Sequence, residues 1–206
     1  MNTSATDSTV QRFYHFHAPI YDLTRPFFLF GRGRAADALK LSPGDSVLEI
    51  GCGTGLNFPL LMARVGAQQG QLTGVDFSAD MLRRAQKRIT ASGWPHASLI
   101  QADASELNLP GRFDAVIFGY SLTMISRWRE AMARAVEHLK VGGRLVVLDF
   151  DGFHGWSWLK PAILKWLISH EVDTSRPYAE AMAQLTRESS FRSYLGGYYF
   201  VAQGVK

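Results

Sequence analysis

The sequence predicts an α/β fold built on a mostly parallel sheet, and three observations predict it. From Ser46 onward, short apolar runs alternate with segments of helical periodicity, the pattern of strands joined by crossover helices. The runs are continuous rather than alternating in polarity, as in strands covered on both faces. The tail "FRSYLGGYYFVAQGVK" (191–206) holds two strand-like pieces around Gly196-Gly197 with no helix between them, so an antiparallel hairpin is expected at the sheet edge.

Residues 1–11 are polar and are expected to form a disordered tail. Residues 12–40 read as a helical lid in two pieces, broken near Pro19 and again near Pro26, because proline lacks the amide a helix interior needs. Strands are expected at "SVLEI" (46–50), "QLTGVD" (71–76), "ASLIQ" (97–101), "FDAVIFG" (113–119) and "GRLVVLDF" (143–150). Helices near 56–66, 79–92 and 128–139 separate them, with the right-handed crossovers that parallel strands require. No repeat or low-complexity linker divides residues 41–206, and a single domain is expected.

Composition narrows the function classes. The 206 residues are 47% hydrophobic and 19% charged, a globular balance. Cys52 is the one cysteine, which rules out an intrachain disulfide and suits a reducing, cytoplasmic compartment. "MNTSATDSTV" lacks the pattern of a secretory signal. No window of 18 apolar residues exists, so no spanning helix is expected. The net charge of +4 permits an anionic surface as partner, and no basic run points to nucleic acid.

The first strand runs into "VLEIGCGTGLN" (47–57), where Gly51, Gly53 and Gly55 open a helix. This is the place where open parallel sheets bind ligands, and glycine there lets a ligand lie against the main chain. The spacing G-x-G-x-G, with Glu49 two residues ahead, departs from the dinucleotide pattern. Asp76 ends the second strand, where a carboxylate can accept both ribose hydroxyls or cap the next helix, a task Ser78 can also take. Asp103 follows the third strand in "IQADA"; it can accept from an adenine amino group while the Ala104 amide reads the ring.

"VLEIGCGTG", "GVDFSADML", "QADA" and "LKVGGRLVVLDF" resemble the successive motifs of class I S-adenosylmethionine-dependent methyltransferases, over roughly residues 45–150. The resemblance implies a Rossmann-like, seven-stranded, mostly parallel sheet with an antiparallel last strand. It implies S-adenosyl-L-methionine as cofactor and no metal. Gly51, Gly53 and Gly55 would flank its methionine part together with Glu49. Asp76 would hold the ribose, Phe77 and Met81 would pack on the adenine, and Asp103 and Ala104 would read its edge. Gly119 and Tyr14 complete the expected cofactor contacts. Cys52 is then a small packing residue rather than a nucleophile.

Methyl transfer from a sulfonium is an in-line displacement, so positioning and exclusion of water carry most of the rate. Two ring-rich segments flank the core. "RFYHFHAPIYDLTRPFFLFGRGR" (12–34) holds seven Phe or Tyr among 23 residues. Its part "APIYDLTRPFFLFGRGR" is similar to a segment of bacterial lipid-headgroup N-methyltransferases, which act on phosphatidylethanolamine or betaine-lipid precursors. Quinone-ring C-methyltransferases share a shorter "YD" echo. By that resemblance Tyr21 lies close to cofactor and acceptor. The second segment, "GFHGWSWLKPAILKWLISH" (152–170), carries Trp156, Trp158, Trp166, Lys160 and Lys165. Such residues settle at a membrane interface or pack a core helix with lysines snorkelling outward.

The expected activity is N-methylation of an amine-bearing membrane lipid, by an enzyme held peripherally on an anionic inner membrane face. A quaternising nitrogen is attracted to aromatic faces, and Tyr14, Tyr21 and Tyr120 are candidates for that cage. His154 is a candidate base, and Arg25 or Arg32 could meet a headgroup anion. Quinone-ring C-methylation is the alternative, which needs a base at the phenol and no cation cage; a diffusible small acceptor comes third. Oligomeric state is left open by the sequence.

Overall fold

The computed structural model describes residues 29–156, 160, 161, 165 and 172–206. Of the lid expected over 12–40, residues 12–28, with Tyr14, Tyr21, Arg25, Phe27 and Phe28, lie outside the described residues, as do Trp158 and Trp166. The described helices and strands include α1 (Arg32–Ala38), β1 (Ser46–Ile50), α2 (Phe58–Val65), β2 (Gln71–Asp76), α3 (Ala79–Ser92), β3 (Ala97–Gln101), β4 (Phe113–Gly119), α4 (Trp128–Glu137), β5 (Leu139–Phe150), α5 (Tyr178–Leu185), β6 (Arg187–Tyr194) and β7 (Tyr199–Val205). Strands β1 to β4 have the bounds read from the sequence.

The seven strands form one sheet in the order β3-β2-β1-β4-β5-β7-β6. β1 is parallel to both β2 and β4, so successive connections leave it in opposite directions and a crevice opens at its carboxyl end. β7 runs antiparallel between β5 and β6, which leaves β6 as the edge. Helices cover both faces. Leu39, Leu61, Met62, Leu82, Ala85 and Ile89 from α1, α2 and α3 pack on one side with Val47, Ala115 and Val146. On the other, Trp128, Met132, Ala135, Tyr178 and Met182 from α4 and α5 pack with Leu48, Val116 and Leu145. Burial on two faces is why the strands read as unbroken apolar runs.

Three elements depart from the expectation. β6 starts at Arg187, ahead of the strand-like piece expected from Phe191. β5 starts at Leu139, not Gly143, because Leu139 already pairs with Phe113 before the register shifts and resumes at Ala115↔Arg144. The intervening Lys140-Val-Gly-Gly143 contains Gly142 at φ 79° and reads locally as a turn. α5 was not expected at all. Its eight residues follow Pro177 and make only two turns, too few for a clear helical period.

Candidate functional site

The chain leaves β1 at Gly51, where φ is 70°. A Cβ on Gly51 would stand 2.4 Å from the Ser121 Cβ, so glycine is required both by the backbone and by the turn after β4. The Ser121 hydroxyl donates to the Ile50 carbonyl at 2.8 Å. The Gly51 and Cys52 amides both donate to the Val75 carbonyl at 2.8 and 2.9 Å, which seats the loop on the end of β2. Cys52 is buried, and burial drives its thiol pKa well up, so it stays a neutral thiol.

Asp76 joins the two expected ligand elements. One of its oxygens accepts from the Gly53 amide at 2.7 Å and the other from the Ser78 amide at 2.9 Å. Beside it, a Cβ on Gly53 would meet nothing within 4 Å, so the loop is open on that side. Phe77 is 47% exposed, while Met81, in the first turn of α3, is buried. The Gln101 amide donates to the Phe77 carbonyl at 3.0 Å, and the Ala102 amide donates to the Asp76 carbonyl at 3.2 Å. Asp103 accepts from the Ser105 amide and hydroxyl at 2.8 and 2.7 Å and caps the short turn Ala104–Glu106. Asp76, Phe77, Asp103 and Ala104 therefore share one rim.

Glu49 is buried in β1, and its Oε1 accepts from the Asn57 amide at 2.6 Å. Burial pushes its carboxyl up to about 8, against the Asn57 bond; Asp76 adds to the rise and Arg32 opposes it. Glu49 Oε2 and Asn57 Oδ1 are buried with no hydrogen-bond partner. Gly119 leaves the room for this pair, since a Cβ there would lie 2.4 Å from the Asn57 Nδ2. Asn57 was missed in the sequence. Its signal was a polar residue opening a helix right after the glycine loop. Two orphaned acceptors beside an open glycine loop suit a ligand carrying an ammonium group, and the rim at Asp76 and Phe77 suits a nucleoside. The residues fit the expected cofactor.

Arg32 reaches the loop from α1, its guanidinium donating to the Leu56 carbonyl at 3.2 Å. Burial lowers its pKa, with Glu49 and Tyr120 acting the other way. Tyr120 follows β4 at φ 58°. Its ring is buried 4.8 Å from that of Phe150, and its hydroxyl donates to the Phe30 carbonyl at 2.8 Å. Burial drives its phenol pKa up, with Asp149 adding to the rise. Tyr120 thus fastens the segment before α1 to the turn after β4.

Two turns meet beyond β5 and β7. The Phe153 amide donates to the Gly197 carbonyl at 2.8 Å and the Gly155 amide to the Gly196 carbonyl at 2.7 Å. A Cβ on Gly155 would sit 2.9 Å from the Gly196 Cα, so the turns pack backbone on backbone. His154 lies here with its side chain 68% exposed, its Nε2 3.5 Å from Asp151 Oδ1. Asp151 Oδ2 is buried with no hydrogen-bond partner. The Tyr198 ring lies 5.6 Å from Phe30, 5.9 Å from Phe150 and 5.4 Å from Phe153. Among the cage candidates Tyr120 alone is described, and it is held in the packing rather than set beside an open space.

A family model described as a methyltransferase domain matches residues 47–143. A 2-phytyl-1,4-naphtoquinone methyltransferase of Thermosynechococcus vestitus is 29% identical over 191 residues, covering 84% of this chain and 84% of that protein. A demethylmenaquinone methyltransferase of Desulfitobacterium hafniense is 32% identical over 166 residues, covering 73% of this chain and 64% of that protein, under two thirds of its length. Among solved structures, a SAM-dependent methyltransferase from Aquifex aeolicus aligns with TM-score 0.72 at 18% identity, over 91% of this chain and 95% of that one. Phosphoethanolamine N-methyltransferase 2 of Haemonchus contortus aligns with TM-score 0.71 at 16% identity, over 84% and 52%. At such identities the structures speak for the fold alone. These curated relatives carry quinone names, so they lend no support to the expected likeness to lipid-headgroup enzymes.

Proposed function

Because the chain is a class I S-adenosylmethionine-dependent methyltransferase, we propose that it methylates a ring carbon of a lipid-soluble hydroquinone. The observation that carries this reading is the likeness to quinone methyltransferases at 29–32% identity along most of the chain. It reverses the order expected from sequence, in which a lipid amine came first.

When bound, S-adenosylmethionine supplies an electrophilic methyl group on a sulfonium sulfur. Glu49 and Asn57 would hold its ammonium end, Gly53 would leave room for it on the main chain, and Asp76 would hold its ribose, with Phe77 and Met81 beside the base. Asp103 and the Ala104 amide would bind the adenine edge. The acceptor then needs electron density on carbon, which removal of a neighbouring phenolic proton provides. His154, backed by Asp151 across 3.5 Å, takes that proton. The ring carbon would gain the methyl group as the C–S bond breaks, and its own proton would leave to restore aromaticity. Methylated hydroquinone, S-adenosylhomocysteine and one net proton result. The rings of Phe30, Phe150 and Tyr198 cluster on this side.

A second reading keeps an amine-bearing lipid as acceptor. The segment "APIYDLTRPFFLFGRGR" favours it, through its resemblance to lipid-headgroup enzymes, and the same rings would attract the cation formed. Mass analysis of quinones and lipids from a quinone-methyltransferase-deficient host separates the two. A methylated quinone with unchanged lipids is expected. Aminolipids gaining successive methyl groups, with the quinone unmodified, would overturn the first reading in favour of the second.

A further inference from the structure

We propose that the paired turns 152–156 and 195–197 are the surface by which the protein docks on an anionic lipid bilayer, with Leu195 entering the headgroup layer; this rests on the reading of a lipid-soluble acceptor. Leu195 is 57% exposed and sits at φ 50°. Left-handed turn positions favour Gly or Asn, and water disfavours an exposed leucine. Neither backbone nor water explains Leu at this tip, so a locally unfavourable residue points to a use. An apolar medium supplies what water does not.

The neighbours extend the patch. The Trp156 indole nitrogen donates to the Leu195 carbonyl at 2.9 Å. The Trp156 ring stands 6.1 Å from Tyr198, which in turn lies 5.6 Å from Phe30, itself 47% exposed. Rings therefore run from the tip to Phe150 and Tyr120, the side assigned to the acceptor. Trp and Tyr are the side chains that settle at headgroup depth. Basic side chains are carried by adjoining segments among the described residues. Arg34 is exposed with its guanidinium 5.3 Å over the Tyr194 ring, and Arg192 and Lys165 are exposed, with Lys160 partly so. Asp151, next to His154, is 12% exposed in its side chain. An apolar tip with Arg34 and Lys160 on adjoining segments complements anionic headgroups rather than zwitterionic ones.

Flotation with vesicles of phosphatidylcholine, alone or with added phosphatidylglycerol, tests this. The protein should float with the anionic vesicles, and less so as salt rises. Leu195→Asn suits the positive φ, so it should keep or raise the thermal midpoint while weakening vesicle binding about tenfold or more. Absence of wild-type flotation, or equal flotation of the variant, overturns the proposal. So does a dimer in solution that the variant dissociates, which would give the patch to a second copy. A demethylated naphthoquinol lacking its isoprenoid tail, in vesicle-free buffer, should be methylated equally by both proteins. If no quinol is methylated while flotation behaves as expected, the reaction reading fails and the docking surface stands. The converse result separates them the other way.

Discussion

Asp76 holds the Gly53 amide on one oxygen and the Ser78 amide on the other. The same carboxylate is assigned to the ribose, so it stiffens the loop that the ligand must lie on. Asp76→Asn keeps an acceptor for the loop but removes the charge. A charge-assisted hydrogen bond contributes about 1.5–3 kcal/mol, so affinity for S-adenosylmethionine should fall about 10- to 100-fold in calorimetric titration, with the fold intact by circular dichroism. Equal affinity would take the ribose away from Asp76. At this scale the sequence was legible in placing the candidate ligand residues Gly51, Asp76 and Asp103 at successive strand ends. It was silent on Asn57 and Ser121, whose roles come from Glu49 and Gly51 approaching them across the sheet.

Among the elements β5 carries a buried carboxylate at its end, Asp149. Fully buried, it accepts from the Thr123 amide at 3.0 Å, the Thr123 hydroxyl at 2.8 Å and the Phe150 amide at 2.9 Å. It thereby ties the turn after β4 to the end of β5. Asp149→Ala strands those donors, and each buried unsatisfied group costs about 1–3 kcal/mol. A loss of about 3 kcal/mol or more is expected in urea unfolding. A loss under about 1 kcal/mol would show that the turn repacks without Asp149. Nothing local in "VVLDF" announces this, since an acid at a strand end reads equally as a ligand or a cap. The strand itself was legible from its apolar run, and its first residues were hidden by a glycine pair that looks like a turn.

For the molecule as a whole, two buried carboxyls set an unusual pH dependence. Burial raises Glu49 from 4.5 to about 8 and Asp149 from 3.8 to about 6. Between each pair of values the folded chain keeps a proton that the unfolded chain has released, so stability falls as pH rises. Their contribution is fully present below pH 3.8 and is lost as pH climbs through about 6 and then about 8. The cofactor-free protein should therefore have a higher urea midpoint near pH 6 than near pH 8, and Glu49→Gln should flatten that slope. A wild-type midpoint that climbs over this range would refute the assignment of Glu49 as a neutral acid. The mostly parallel sheet followed from strands alternating with helices, whereas the acceptor's identity did not, because it depends on how separate loops assemble around one rim. Gly155 and Gly196 make that dependence concrete. A chimera that exchanges one of these turns for a relative's, with any larger residue at either glycine, would wedge both apart. Altering substrate choice by recombination therefore means transplanting the two as a set.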